Sequence, residues 1–203
     1  MNINTGTHIN DAVVILRNIT VNGASQTISP GLNGINYIRA AQLIVESCFL
    51  ENFSTAGISE GSMATASVLR VNGCSFTNTN TGILVTTTSG LASAQIDRCN
   101  FNADAIGLNT TSNAVVSIRN CMFAQTTSAS GAVRSNRGCQ VNVTGSMFAG
   151  NVLGAFAAGV LRLSDNDFYN NTTAIQGTGA SANNNRFGGN GTDGATANVI
   201  VVK

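Results

Sequence analysis

The chain has 203 residues, of which 9% are charged and 43% hydrophobic, with a formal net charge of +1. So few charges on so apolar a sequence exclude the disordered class, which combines high net charge with low hydrophobicity. They also leave no basic patch for a phosphate-tracking nucleic-acid surface, and no apolar run approaches the ~18 residues of a membrane span.

In chain order, Met1–Asn10 lacks both the basic start and the apolar stretch of a signal peptide. Met1 and Ile3 read as a strand that enters a coil partway round, so residues 1–12 are expected to form an incomplete first coil or cap. A three-strand unit then repeats. Its first member, the paired strand, carries apolar residues two apart: Leu43 and Val45, Leu69 and Val71, Ala94 and Ile96, Val116 and Ile118, Val141 and Val143, Leu161 and Leu163. That alternation puts each pair on one face.

After two connecting residues comes the aromatic strand: Cys74-Ser75-Phe76, Cys99-Asn100-Phe101 and Cys121-Met122-Phe123. Ser146-Met147-Phe148, Asn166-Asp167-Phe168 and Asn185-Arg186-Phe187 continue the series, and Cys48-Phe49-Leu50 and Ile19-Thr20-Val21 fit the same slots. The second connecting residue is Asn18, Ser47, Gly73, Arg98, Asn120, Gly145, Asp165 and Asn184 in successive coils. Six of these eight are Gly, Asn or Asp, which tolerate a left-handed backbone, so a sharp turn is expected there.

The third member, the glycine strand, sets a small residue before an apolar one: Gly34-Ile35, Gly57-Ile58, Gly82-Ile83, Ala105-Ile106, Ala132-Val133, Ala155-Phe156 and Ala174-Ile175. Loops of varying length precede and follow it. The aromatic slot returns at positions 21, 50, 76, 101, 123, 148, 168 and 187, a period of 19 to 29 residues. Such a period predicts stacked coils around one continuous core. At about 4.8 Å per coil, roughly eight coils make a rod near 40 Å long.

The stretches Val13–Thr20, Gly34-Ile35-Asn36, Val45-Glu46-Ser47-Cys48 and Asn185–Gly194 carry a resemblance. The chain resembles, over essentially its whole length, the right-handed parallel β-helix proteins of the pectate-lyase-like superfamily. It is more closely similar to bacterial β-helix repeat proteins. The expected fold is all-β: a right-handed parallel β-helix, or solenoid, of about eight three-stranded coils. Residues 1–203 then form one β-helix domain, closed by a coil over 188–203. The resemblance implies a secreted or cell-surface bacterial setting, without a signal peptide on this chain.

Chemistry is sparse. Of the five cysteines, Cys48, Cys74, Cys99 and Cys121 share one inward column that continues as Ser146, Asn166 and Asn185. A ladder points its sulfurs in parallel, whereas zinc needs ligands converging from several directions. Stacked Cβ atoms about 4.8 Å apart also exceed the 3.5–4.5 Å span of a disulfide. The expectation is therefore a buried reduced ladder, with no metal and no cofactor. In the resembled superfamily, enzymes place calcium-binding acids and a basic catalytic residue on the outer face of the glycine strand. Here that column reads Asn36, Ser59, Leu84, Gly107, Arg134, Ala157 and Gln176, without an acid. The one histidine, His8, lies near the start, and Asp165 fits a turn slot. No catalytic residue is assigned.

The run Gly188-Gly189-Asn190-Gly191-Thr192-Asp193 matches a single calcium nonapeptide. Tandem copies are needed to build such a site, so it is read as a closing turn. Tyr37, Arg39, Glu60, Arg134 and Arg137 remain as ligand-binding candidates on the presumed groove face. Arginine grips carboxylates in bidentate fashion, and tyrosine stacks on sugar rings. The function expected is a non-catalytic structural or binding module for surface polysaccharide. It would associate with a second copy through its open N-terminal coil. The alternative is a polysaccharide lyase or epimerase acting on acidic glycans.

Overall fold

The computed structural model describes residues 1–8, 10–24, 30–62, 66–87, 90–178, 180–182, 184–194 and 198–200. Part of the closing run 188–203 lies outside these residues. Among them the chain is a parallel β-solenoid without helices. Glycine, paired and aromatic strands stack into three parallel sheets of eight, nine and eight strands. Every strand pairs with its counterpart one coil away, as Phe76 with Phe101 and Leu69 with Ala94. The first coil is built from Asn2–Asn4, Val13–Arg17 and Thr20–Asn22.

The aromatic column is the spine. Phe76, Phe101, Phe123, Phe148, Phe168 and Phe187 stack with ring centroids 4.5–5.2 Å apart and interplanar angles of 4–12°. The spacing of stacked strands is also the spacing of stacked rings, so backbone pairing and aromatic packing reinforce each other. Val21 and Leu50 extend the column toward the N-terminus. The paired positions from Leu43 and Val45 to Leu161 and Leu163 face inward and are buried.

The rings dictate the small residue of the glycine strand. A Cβ at Gly57, Gly82 or Gly107 would stand 2.6–2.7 Å from the ring of Phe76, Phe101 or Phe123, closer than real Cβ contacts come. This contact corrects two assignments of the outer column. The small residue is Gly107 rather than Ala105, and Gly154 rather than Ala155, because Gly107 lies against Phe123 and Gly154 against Phe168. The outward residues are thus Asn36, Ser59, Leu84, Asn109, Arg134, Phe156 and Gln176. Asn109 and Phe156 replace Gly107 and Ala157. The column still carries no carboxylate.

Between paired and aromatic sheets, Asn18, Ser47, Gly73, Arg98, Asn120, Gly145 and Asp165 have φ of 50–61°, the left-handed turn expected. A second left-handed series, not expected, turns the chain from aromatic to glycine sheet: Asn52, Asn78, Ala103, Gln125, Gly150, Asn170 and Gly189, at φ 54–66°, with the first coil's left-handed residue, Ala24, one position later. The connection that begins with this turn still varies, from one residue between Glu51 and Phe53 to eight between Ala124 and Val133, so the loops on both sides of the glycine strand are elastic, as expected.

After the left-handed residue at each of these corners the next residue points inward, and in most coils its backbone N–H donates to the equivalent side chain one coil on. Cys48 N donates to Cys74 Sγ (3.4 Å), Cys99 N to Cys121 Sγ (3.4 Å), Cys121 N to Ser146 Oγ (3.1 Å), Ser146 N to Asn166 Oδ1 (2.9 Å) and Asn166 N to Asn185 Oδ1 (2.9 Å). The cysteines are free and buried, as expected. The second corner has its own ladder of Thr79, Asp104, Thr126, Asn151, Asn171 and Asn190. Asn190 belongs to the glycine-rich closing run, which thus supplies a rung. Cys139 stands outside both ladders, buried just before the paired strand Gln140–Thr144.

Three substitutions test this packing. Gly82→Ala should cost about 1–3 kcal/mol in urea unfolding, because neither ring nor carbonyl can retreat. Gly61→Ala, whose Cβ would meet nothing closer than 3.8 Å, should stay within about 0.5 kcal/mol of the parent. Asn171 accepts from Asn151 N (3.0 Å) and Nδ2 (2.8 Å) and donates to the Phe148 carbonyl (3.0 Å). Asn171→Leu strands these buried partners and should cost on the order of 3 kcal/mol in the same assay.

Candidate functional site

Two of the five candidate residues are not on the surface. Tyr37 and Glu60 follow Ile35 and Ile58 by two positions, so they share the inward face of their strands, and they pair in register. Tyr37 is fully buried, and its hydroxyl donates to the Ala40 carbonyl at 2.9 Å. Burial, and then the neighbouring Glu60 charge, push the phenol above its ordinary pKa. Glu60 is 1% exposed, and its Oε1 accepts from Ser67 Oγ (2.7 Å) and Ser62 N (3.1 Å). Burial raises this carboxyl's pKa, while those two bonds oppose the rise. Neither side chain reaches a ligand on the outer face. The period-2 parity with Ile35 and Ile58 was the sequence signal that places them inside.

Arg39 ends the strand Gly31–Arg39 and is half-buried, its carbonyl accepting from Thr5 N (3.0 Å) and Thr5 Oγ1 (3.1 Å). It stands four strands from Arg134 in the glycine sheet, about 19 Å at 4.8 Å per strand. The fold does not bring it to the remaining pair.

Arg134 and Arg137 do lie together, on the strand Val133–Ser135 and in the turn that follows. The guanidinium of Arg134 lies over the Phe156 ring of the next coil, 5.0 Å from its centroid. Its Nε donates to Asn136 Oδ1 at 2.8 Å, and Asn136 Nδ2 donates to Asn109 Oδ1 at 3.0 Å. One ring face and one amide thus hold the guanidinium in place, and among the described residues no carboxylate forms an ion pair with it. Phe156 was the partner that sequence reasoning missed, because the residue was given an inward slot. Arg137 is exposed beside Gly138.

Gly138 also lines a groove of about 720 Å³ that runs along the rod across four successive coils, where the glycine sheet meets the paired sheet. The corner column is small there, Ala114, Cys139 and Gly159, and this leaves the groove its room. At Gly159 a Cβ would stand 2.1 Å from the Asn136 carbonyl, so no side chain fits. Leu91, Val115 and Val160, each 37–46% exposed, give the groove an apolar wall. Arg137 borders the groove through its neighbour Gly138, while the fixed guanidinium of Arg134 lies outside the groove's lining, which mixes apolar side chains with Asn113 and Gln140.

Groups for acid–base chemistry are not gathered here. Asp104 and Glu60 are 0% and 1% exposed, so neither carboxyl meets solvent. His8 is exposed in the first coil beside Asp11, at 3.4 Å. Asp165 holds a left-handed turn at φ 56°. Among the described residues no three His, Cys, Asp or Glu side chains converge to hold a metal ion, and no helix is long and apolar enough to cross a membrane. Comparison of the chain with family models, with characterised proteins and with solved structures found no match.

Proposed function

We propose that this solenoid is a non-catalytic binding module that lays a linear acidic polysaccharide along the corner groove. Arg134 and Arg137 would grip its carboxylates. The observation that carries this reading is the state of Arg134: stacked on Phe156, tied by Asn136, and without an acidic partner among the described residues. A cation already fixed in place loses little side-chain freedom when an anion arrives. The trough suits an extended chain, and its Leu91, Val115 and Val160 wall suits the C–H faces of sugar rings.

Titration calorimetry with polygalacturonate and with a neutral glucan of similar length tests the reading. The parent should prefer the acidic polymer, and R134A/R137A should bind it about tenfold or more weakly, since one charge-assisted hydrogen bond contributes about 1.5–3 kcal/mol. Equal binding of both polymers would sink the proposal. Growth of an ultraviolet-absorbing unsaturated product during the titration would replace it with a lyase.

The proposal extends to self-association through the first coil. Val14, Leu16, Ile19 and Val21 pack on the core there but are only partly buried. The strands Asn2–Asn4, Val13–Arg17 and Thr20–Asn22 each have one hydrogen-bonded neighbour among the described strands. A second copy offers both an apolar face and strand edges to such a coil. Light scattering across a concentration series should give a dimer mass that L16E returns to the monomer. A monomer at every concentration ends this part of the proposal.

A further inference from the structure

The second-corner ladder settles into one grammar toward the C-terminus, and its one acid, Asp104, stands before that run with a different chemistry. In the lower coils each rung is an asparagine with two tasks. Its Oδ1 accepts the N–H of the rung before it, and its Nδ2 donates to the carbonyl of the phenylalanine one coil back. Asn151 donates to Phe123 O at 3.0 Å, Asn171 to Phe148 O at 3.0 Å, and Asn190 to Phe168 O at 2.9 Å.

Asp104 performs the first task. Its Oδ1 accepts from Thr79 N and from Thr79 Oγ1, both at 2.8 Å. Its Oδ2 stands in place of the donating nitrogen. That atom has no hydrogen-bond partner, and the residue is 0% exposed. By the register of Phe76 with Phe101, the carbonyl that an asparagine would reach from this rung is that of Phe76. A carboxylate would set an oxygen with lone pairs against another such oxygen, in a dry corner.

No neighbouring charge offsets this. The strands packed around the rung are Ser75–Thr77, Thr81–Val85, Asn100–Asn102, Ile106–Thr110 and Met122–Ala124. Neither these nor the flanking turns Asn78–Asn80 and Gln125–Ser128 contain an Asp, Glu, His, Lys, Arg, Cys or Tyr. The nearest thiols, Cys74, Cys99 and Cys121, precede the aromatic strands and so lie at the opposite corner.

We propose that Asp104 is a neutral carboxylic acid whose Oδ2–H donates to the Phe76 carbonyl, and that loss of this proton loosens the second corner of that coil. The proton goes to water. A cavity of about 310 Å³ lined by Thr79, Ala103 and Ala105 brings solvent to the corner's outer side. This is a proton-dependent lock within the rod wall, separate from the groove and independent of what the groove binds.

Burial raises the pKa of this carboxyl to about 7, against the pull of the Thr79 bonds, compared with about 3.9 in an unfolded chain. The folded form therefore holds a proton that the unfolded form has lost between these two values. The stabilisation from Asp104 is complete below about pH 4, falls as pH rises, and is gone above about 7.

The experiment compares urea unfolding of the parent and Asp104→Asn from pH 4 to 8. Asparagine supplies the missing donor and is already the residue at positions 151, 171 and 190. Relative to the variant, the unfolding constant of the parent should rise by up to tenfold per pH unit through that window, then level off. The variant should be the more stable protein at pH 8. Glu60, the other buried acid, is present in both proteins and cancels. A difference that does not change with pH, or a parent that gains on the variant as pH rises, overturns the proposal. Carbon NMR of the parent's Asp104 carboxyl decides the matter without any variant. Titration near neutrality supports the lock, and titration near 4 removes it.

Discussion

A backbone N–H that turns a corner leaves the sheet, and in a solenoid it does so inside the molecule. An unpaired amide there is costly, so every coil must provide an acceptor for the coil before it. This requirement explains the two inward ladders better than any preference for a residue type. Thiol, hydroxyl, carboxyl and amide all appear as rungs because each offers an acceptor at the same place. Asparagine does most, since its nitrogen also satisfies a strand carbonyl. The phenylalanine stack and the glycine column that accommodates it sit between the ladders and share their axial spacing.

Much of this was legible in the sequence. The aromatic period identified the solenoid, the pairs from Leu43 and Val45 onward identified the inward face, and residues such as Gly73 and Asn120 identified the first corner. The second corner was missed although Asn52, Asn78, Gly150, Asn170 and Gly189 are of the same types as the first corner's residues, because the loop that follows it varies in length and blurs the column. Ala24, Ala103 and Gln125 accept positive φ under tertiary constraint, and nothing in their side chains announces it. The register slip at Ala105 and Ala155 had a related cause. Several small residues neighbour one another there, and only the phenylalanine ring across the core distinguishes them.

Position within the site was read less well than residue type. Arginines at 134 and 137 were visible as candidate anion-binding groups in a chain with few charges. What gives Arg134 its value is contact with Phe156 and Asn136 from neighbouring coils and turns, a relation between residues 2 and 22 positions apart that exists only after folding. Tyr37 and Glu60 show the converse. Polar or amphipathic side chains suggested an outer face, yet strand parity sent both inward, where each found backbone or hydroxyl partners.

The ladders also bear on how such a rod changes over evolutionary time. Each rung gives to the next and receives from the last in the same sense, as Ser146, Asn166 and Asn185 do in turn. A whole coil can therefore be duplicated or lost by recombination at equivalent positions, and the donors and acceptors on either side of the join still meet. Removing part of a coil breaks both ladders at once. Whole coils are thus the units in which such a rod is most readily lengthened or shortened, with the loops on both sides of the glycine strand free to diverge.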